Sequence, residues 1–274
     1  MDRYQLIAFD MDGTLLDSRK RLRPDSLAAI DEAVRAGKVV ALSTGRNPAE
    51  LRPYAEALRQ VRYIICVSGA LVYENGTERL LSARPLPEAD VRRLLRLADG
   101  RDIMLHLLGW ESLVQADHVR RMEDFHMGVF RPLYEQVTHQ VDDVIRYYLA
   151  EPFPVYKLNL YSRSTEARLS LREELLAMGL RPVFSEVTSL ECSAEGISKG
   201  SGLLCLCREL GIPPEAAIAV GDADNDLDIL RCAGLAVAMG NANAHVKAAA
   251  DVIVADNGHG GCAEAVRKYL LGAG

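Results

Sequence analysis

The chain has 274 residues, which is long for one compact domain and favours two; 49 % of the residues are hydrophobic and 26 % are charged, a composition typical of a soluble globular protein. A formal net charge of −6 excludes the basic field that attracts nucleic acid or an anionic membrane, so neither is an expected partner. Six cysteines without a CxxC pair favour reduced thiols, and the first strand begins too close to Met1 for a signal peptide, so we expect a cytoplasmic protein.

The first predicted element is the apolar run 5–9, which ends at Asp10 and is followed by Asp12 and Gly13. A short apolar run of this kind is typical of a buried parallel strand, and ligands bind at the carboxyl ends of such strands. Two carboxylates placed there repel each other unless a cation lies between them, which predicts a divalent metal ion, Mg²⁺. The alternative is a strand followed by an ordinary Asp-Gly turn.

The next elements alternate between helix and strand with short links, a pattern that predicts a parallel sheet with right-handed crossovers. They are a helix over 24–35, a strand over 39–42, a helix through 58, a strand over 63–67, and a hairpin of 71–74 with 77–80. Asn75-Gly76 between the hairpin strands predicts a type I′ turn.

The alternation stops after Pro87. The elements predicted beyond it are a helix over 89–98, strands over 103–107 and 111–115, an irregular stretch over 117–150, a strand over 155–161 and a helix over 166–178. We therefore predict a separate α+β cap inserted at 86–188, between the two parts of a catalytic core formed by 1–85 and 189–274.

The parallel pattern resumes at Lys199, which opens a helix to Leu210. The later elements are a strand over 217–220, a polar turn over 221–226, a helix to 232, a strand over 235–239, a helix to 249, a strand over 252–254 and a helix over 260–270. The predicted fold class is α/β, a Rossmann-like doubly wound, mostly parallel sheet core with an inserted α+β cap domain.

Three polar clusters follow buried strands: Asp10 with Asp12, the run 43–46, and the turn 221–226. Because parallel strands share one carboxyl edge, we expect these clusters to meet, with Lys199 within reach. Phosphoryl transfer requires carboxylates that hold a metal, a hydroxyl and backbone N–H groups that bind the phosphate oxygens, and an ammonium as counter-charge. Lys199 could instead be an exposed lysine at a helix start, but a cation there is electrostatically unfavourable and favours an anionic partner.

The four motifs 10–14, 43–46, Lys199 and 221–226, in this order, resemble those of the haloacid dehalogenase-like hydrolases. The insertion is similar in place and size to the C2B cap of the Cof-type subfamily, and the resemblance covers the whole chain. It implies a Mg²⁺-dependent phosphatase that hydrolyses small phosphomonoesters (a sugar phosphate, a nucleotide or a phosphorylated cofactor) through an aspartyl-phosphate. The alternatives are a phosphomutase on the same fold and a non-catalytic regulator that binds a phosphorylated ligand.

The resemblance also implies roles for individual residues. Asp10 would be the nucleophile, and Asp12 the acid that protonates the leaving group and then the base that activates water. Mg²⁺ would be held by Asp10, the backbone carbonyl of Asp12 and Asp222, and Asp226 would orient Lys199 or a metal-bound water. The residues expected to bind the phosphoryl oxygens are Met11, Thr44, Gly45, Lys199 and Asn225. Arg46 either contacts the substrate or pairs with a surface acid.

Three further regions carry expectations of their own. The turn 68–70 reads Ser-Gly-Ala where the Cof-type pattern commonly has Asn-Gly-Ala, so its role stays open. Asn241 and Asn243 are expected to be turn residues.

Substrate-facing cap residues are expected among 106–131 and 157–161. Closure of the cap is expected to exclude water and supply selectivity. The cap histidines are not expected to be metal ligands, since no pair of them has helical i, i+4 spacing; they are His106, His118, His126 and His139.

Overall fold

The structure, a computed structural model, describes residues 3–77 and 79–272, and the chain divides into two compact units. The first unit consists of Met1–Gly45, Tyr54–Ala83 and Ile197–Gly274, and the second of Arg46–Pro53 and Arg84–Gly196. The predicted cap, 86–188, lies within the second unit, which also contains eight residues that follow the second strand of the chain. Among the described residues, no helix combines the length and the apolar character needed to cross a bilayer.

The strands of both units are, in chain order, β1 Leu6–Phe9, β2 Val39–Ser43, β3 Tyr63–Cys66, β4 Leu71–Glu74, β5 Arg79–Ala83, β6 Met104–Leu108, β7 Ser112–Gln115, β8 Thr138–Val141, β9 Lys157–Tyr161, β10 Val183–Phe184, β11 Ser189–Ser193, β12 Ala217–Gly221, β13 Leu235–Ala238 and β14 Val252–Ile253. The helices are α1 Pro24–Arg35, α2 Pro48–Leu51, α3 Glu88–Ala98, α4 Ala116–Arg120, α5 Arg131–Val137, α6 Val144–Ala150, α7 Thr165–Ala177, α8 Lys199–Leu210, α9 Leu227–Cys232, α10 Ala244–Ala249 and α11 Gly261–Glu264, which continues as a π-helix over Ala265–Leu270.

The first unit is built on an eight-stranded sheet in the order β14-β13-β12-β1-β2-β3-β4-β5. The first six strands of that order run parallel, and β4 and β5 form an antiparallel hairpin at one edge. Strand β1 is central and wholly buried, with β2 on one side and β12 on the other. This arrangement makes the carboxyl end of β1 a topological switch point, where such sheets bind ligands. The predicted fold class is confirmed.

The second unit is built on a six-stranded sheet in the order β10-β11-β9-β6-β7-β8, antiparallel except for β7 with β8. Alternate residues of its strands point to opposite faces. One face, with Leu105, Leu107, Leu158 and Leu160, packs in an apolar core with α3, α6 and α7. The other face packs at one end against a smaller core that includes Met122 and Phe125.

Several predicted elements differ from the structure. The helix predicted through 58 is wrong, because α2 ends at Leu51 and passes into a 3₁₀ turn at Pro53, which has no N–H to extend the helix. The hairpin 71–80 is confirmed, but the type I′ turn is wrong. The strands close at Glu74 and Arg79, so the loop exceeds two residues, and φ is positive at Gly76 but not at Asn75.

The stretch 117–150, predicted to be irregular, contains three helices and strand β8. The helices have five to seven residues each, too few for an apolar periodicity to be visible in the sequence. Strand β11 was not predicted, although Leu190 and Cys192 alternate with polar residues there. It pairs with β9 in the sheet of the second unit, although its residues lie beyond the predicted cap boundary at 188.

Candidate active site

The carboxyl ends of three adjacent strands carry polar residues of the predicted site. Asp10 follows β1, Thr44 follows β2, and Asp222 follows β12. Backbone hydrogen bonds hold these ends in register: the Asp10 N–H donates to the Val220 carbonyl (2.9 Å) and the Thr44 N–H to the Ile65 carbonyl (2.8 Å). The parallel ladder therefore places the three residues along one rim of the first unit, as the strand-end pattern predicted.

Three carboxylates converge at this rim. One oxygen each of Asp10, Asp222 and Asp226 lies within 4.8 Å of the other two. Asp226 is completely buried and Asp10 nearly so. Because ionised carboxylates repel at this distance and burial adds a desolvation cost, the cluster favours nearby cations. The Lys199 ammonium can offset one of the three negative charges, and a divalent cation would offset the other two.

Lys199 is the buried counter-charge of the cluster. It opens α8, whose N-cap is Ser198, and its Nζ lies 2.6 Å from Asp10 Oδ1 and 2.7 Å from Asp226 Oδ1. Burial lowers the pKa of Lys199, but the charges and hydrogen bonds of the two aspartates outweigh this, so its pKa is raised and the ammonium stays charged. The alternative of an exposed helix-start lysine is wrong, because the side chain is 1 % exposed.

Asp226 shapes the loop that follows β12. Its Oδ2 accepts hydrogen bonds from the N–H groups of Asp222 (3.0 Å) and Ala223 (3.1 Å), while its Oδ1 faces Lys199. Both oxygens are therefore engaged within the protein. A Cβ at Gly221 would come within 2.5 Å of the Asp226 side chain, so a larger residue there would displace this carboxylate.

Asp222 and Asp10 both have raised pKa values. Burial is the main cause for Asp222, whose pKa is about 6; a hydrogen bond from Thr14 Oγ1 (2.8 Å) opposes the rise and the charge of Asp226 adds to it. Burial likewise raises the pKa of Asp10, against the lowering effect of Lys199. Gly13, with φ of +89°, lies so close that a Cβ would be 2.3 Å from Asp222 Oδ2. The Asp-Gly turn thus lets the chain pass directly beside the carboxylate cluster.

The side chain of Asp12 has a different partner. It is about one-third exposed, and its Oδ1 lies 2.6 Å from the Nζ of Lys20. Lys20 adopts the left-handed conformation (φ +57°), and the Tyr54 hydroxyl donates to its carbonyl oxygen (3.2 Å). The two aspartates of the motif therefore lie in unlike environments, one buried among carboxylates and the other paired in a half-exposed turn. Sequence reasoning missed Lys20, because no motif spacing marks it.

The other predicted residues are placed as follows. Met11 and Thr44 are buried, Gly45 is half-buried, and Asn225 is exposed in the 3₁₀ turn Asp224–Asp226. All four belong to the first unit, as do the carboxylates. Arg46 belongs to the second unit, where it is buried and its Nη1 lies 3.4 Å from the Glu50 carbonyl oxygen.

Two asparagines hold the loops around the carboxylates. Asn241 Nδ2 donates to the Gly13 carbonyl (2.8 Å), and Asn243 Nδ2 donates to Asp224 Oδ1 (2.9 Å). The Asn243 N–H also donates to the carbonyl of Asp222 (3.1 Å). These residues link the turn after β13 to the turns after β1 and β12, a bracing role that their expected assignment as turn residues did not include.

The turn 68–70, whose role was left open, packs against the start of α8. Ser68 has a left-handed backbone (φ +56°), and a Cβ at Gly69 would lie 2.0 Å from the carbonyl oxygen of Ser198. Glycine at position 69 thus permits the close approach that fixes Ser198 and, next to it, Lys199.

Replacing the buried ammonium is expected to destabilise the first unit. Without added metal, Lys199→Met should lower the free energy of unfolding by roughly 3–5 kcal/mol, because Asp10 and Asp226 lose their cationic partner. Urea denaturation at neutral pH measures this. The matched control, Lys247→Met on α10, should change stability by no more than about 0.5 kcal/mol. Equal stabilities of the two variants would contradict the assigned role of Lys199.

Comparisons with known proteins identify the family of the chain. The model of the haloacid dehalogenase-like hydrolase family matches residues 7–266. The chain is similar to pyridoxal phosphate phosphatase YbhA of Escherichia coli (28 % identity; 97 % of this chain, 99 % of the relative) and to HMP-PP phosphatase of Serratia proteamaculans (30 %; 89 % and 86 %). It also resembles the crystal structure of a haloacid dehalogenase-like hydrolase from Bacteroides thetaiotaomicron (TM-score 0.83, 27 % identity; 97 % and 99 % covered). The family resemblance of the four motifs is thus confirmed, and the chain belongs to the haloacid dehalogenase-like hydrolases.

Proposed function

We propose that the protein is a Mg²⁺-dependent phosphatase that hydrolyses small phosphomonoesters through an aspartyl-phosphate. The observation that carries this proposal is the unlike treatment of the two motif aspartates. Asp10 is buried with Asp222, Asp226 and Lys199, whereas Asp12 lies outside that cluster with Lys20 as its partner. A binding protein needs only the first group, but a phosphatase also needs a separate acid to protonate the leaving oxygen.

The residues at the rim fit a hard divalent cation. Carboxylate and carbonyl oxygens are the protein ligands that Mg²⁺ prefers, and excess negative charge surrounds them. We assign the ion to the carboxylates of Asp10 and Asp222 and the backbone carbonyl of Asp12. Both oxygens of Asp226 already accept hydrogen bonds, so Asp226 is assigned to orienting Lys199 and the loop. When bound, Mg²⁺ would neutralise charge on the attacking carboxylate and on the phosphoryl oxygens.

The proposed reaction has two steps. A carboxylate oxygen of Asp10 attacks phosphorus, the bond from phosphorus to the ester oxygen breaks, and Asp12 gives its proton to the departing alkoxide. Asp12 then takes a proton from water, which attacks the aspartyl-phosphate, releases inorganic phosphate and restores Asp10. Lys199 offsets negative charge on Asp10 and on the transferred group. The phosphoryl oxygens are assigned to Lys199 and to Met11, Thr44, Gly45 and Asn225.

The substrate class is a small phosphorylated metabolite. Relatives at 28–30 % identity are named for pyridoxal phosphate and for HMP-PP, and the chain aligns with most of their length. A panel of sugar phosphates, nucleotides and phosphorylated cofactors, assayed for released phosphate, tests the class. Assaying a hexose phosphate for its isomer in the same samples separates a phosphatase from a phosphomutase, and phosphate release without isomer is the expected result.

Removing the metal is expected to abolish turnover. Extensive chelation with EDTA should lower phosphate release by roughly 10³-fold or more, since two of the three clustered charges lose their counter-ion. Adding Mg²⁺ back in excess should restore the rate, whereas Ca²⁺, which accepts looser coordination, should restore less. Undiminished phosphate release after chelation would overturn the metal assignment.

A further inference from the structure

The second unit contains a buried polar surface that the proposed reaction does not use. It lies on the sheet face opposite the apolar core formed by α3, α6 and α7. Three side chains on this face each have a buried polar atom without a hydrogen-bond partner among residues 3–77 and 79–272: Ser112 Oγ, His106 Nε2 and Asn159 Oδ1. Each residue is at most 6 % exposed. A buried polar atom left unpaired is destabilising, so three such atoms on one face require an explanation.

The strand register brings these residues together. His106 of β6 lies directly opposite Asn159 of β9, and Ser112 of β7 lies opposite Leu108, two positions along from His106 on the same face. Lys157 precedes Asn159 by two positions on this face, and its Nζ lies 3.1 Å from Glu191 Oε1. Three adjacent strands thus contribute the polar atoms, and the nearby ammonium has a carboxylate partner.

A hydrogen-bond chain determines what the unpaired atoms offer. Asn159 Nδ2 donates to the Tyr161 hydroxyl (3.0 Å), Tyr161 and Tyr134 share a bond of 3.1 Å, and Tyr134 lies 2.9 Å from His106 Nδ1. We assign the protons so that Tyr161 donates to Tyr134 and Tyr134 donates to Nδ1, because the reverse direction would leave a buried hydroxyl proton unpaired. In this assignment His106 presents Nε2–H, a donor, and Asn159 presents Oδ1, an acceptor.

The surroundings favour a neutral occupant. His106 is itself neutral, because burial, and secondarily the charge of Lys157, lower its pKa to about 3. The charge of Lys157 is offset by Glu191. A charged group placed here would lose its hydration, whereas a neutral group that accepts one hydrogen bond and donates another would satisfy both Nε2–H of His106 and Oδ1 of Asn159.

We propose that His106 and Asn159 form a recognition site in the second unit for a neutral group that accepts a hydrogen bond from Nε2–H and donates one to Oδ1. A hydroxyl of a polyol and the edge of a nitrogen heterocycle that bears a hydroxyl share this chemistry. The proposal rests on the proposed function, because the group it recognises belongs to the part of the substrate that does not carry the reacting phosphoryl. A site built for such a group rejects analogues that lack it, since they leave the buried atoms unpaired.

The kinetic test uses the full chain and three esters: ribose 5-phosphate for the polyol, pyridoxal 5′-phosphate for the heterocycle, and p-nitrophenyl phosphate, which has no hydroxyl donor. The test ester is whichever of ribose 5-phosphate and pyridoxal 5′-phosphate the wild type prefers. The ratio of its kcat/KM to that of p-nitrophenyl phosphate should fall by roughly tenfold or more in Asn159→Leu and in His106→Phe. Thr188→Val is the matched control, because Thr188 Oγ1 is buried but already donates to the Phe125 carbonyl (2.7 Å). It should leave that ratio unchanged. An unchanged ratio in both test variants would overturn the proposal.

A second measurement does not depend on the variants folding. In wild-type protein labelled with ¹⁵N-histidine, His106 should show the Nε2–H tautomer, and its Nε2 resonance should shift when ribose or pyridoxal, the dephosphorylated forms, is added. The ligand that shifts the resonance identifies the source of the group. No shift with either would mean that ordered water alone fills the site, and would overturn the proposal. A wild-type enzyme that releases no phosphate from any ester would overturn the proposed function instead, while the titration would still report on binding.

Discussion

Asp10→Asn is expected to abolish phosphate release, with a loss of roughly 10⁴-fold or more in kcat. An amide has the shape of the carboxylate but is not a nucleophile toward phosphorus, so the first step of the proposed reaction cannot occur. The substitution also removes one of the three clustered negative charges, and Asp10 has a pKa already raised by burial. The folded protein should therefore be at least as stable as the wild type without metal, and steady-state kinetics with thermal unfolding measures both effects.

The matched control is Asp31→Asn on helix α1, a half-buried aspartate that is not part of the carboxylate cluster. Its kcat should stay within about twofold of wild type, as for most substitutions distant from a site. Appreciable turnover by Asp10→Asn at more than about one part in a hundred of the wild-type rate would exclude Asp10 as the nucleophile.

The second large effect is expected at Asp12, and it should depend on the leaving group. Asp12→Asn cannot protonate the departing oxygen, so kcat for alkyl phosphates should fall by roughly 10²–10⁴-fold. The loss should be at least tenfold smaller for p-nitrophenyl phosphate, whose leaving phenolate is stable without a proton. Rates of phosphate release from both kinds of ester, measured on the same preparations, give the two losses.

Lys20→Met provides the comparison for Asp12. It removes the ammonium 2.6 Å from Asp12 Oδ1 but keeps the carboxyl group. For both kinds of ester, kcat should fall less in Lys20→Met than in Asp12→Asn. The loss should again be larger for alkyl phosphates than for p-nitrophenyl phosphate. If Asp12→Asn slows both kinds of ester equally, Asp12 does not act as the acid that protonates the leaving group.

Sequence reasoning located the carboxylate cluster because its members follow directly from strand ends. An apolar run that stops at Asp10 and another that stops near Asp222 share one edge of a parallel sheet, and the topology alone brings them together. Lys199 was predicted on a different basis, since a cation at a helix start needs an anion. The structure supplies that anion within the protein, as Asp10 and Asp226.

Two contacts that sequence reasoning did not predict, that of Lys20 with Asp12 and that of His106 beside Asn159, are encoded by no local pattern. Lys20 reaches Asp12 because its own backbone is left-handed, a conformation unusual for lysine. His106 and Asn159 become neighbours through the register of two strands that are far apart in sequence. Asn159 stands in an alternating strand and His106 in an otherwise apolar one, so the sequence pattern predicts each strand but not the partner across it.

The proposed reaction transfers the phosphoryl group of the substrate to Asp10. The most direct measurement is rapid acid quenching of the enzyme during turnover of a ³²P-labelled phosphomonoester with Mg²⁺, followed by mapping of the labelled peptide. The expected label is stable in acid, released by hydroxylamine and confined to the peptide that contains Asp10, with none in Asp10→Asn. Turnover at full rate without protein-bound label in a quench fast enough to capture a single turnover, or label on another residue, would contradict it.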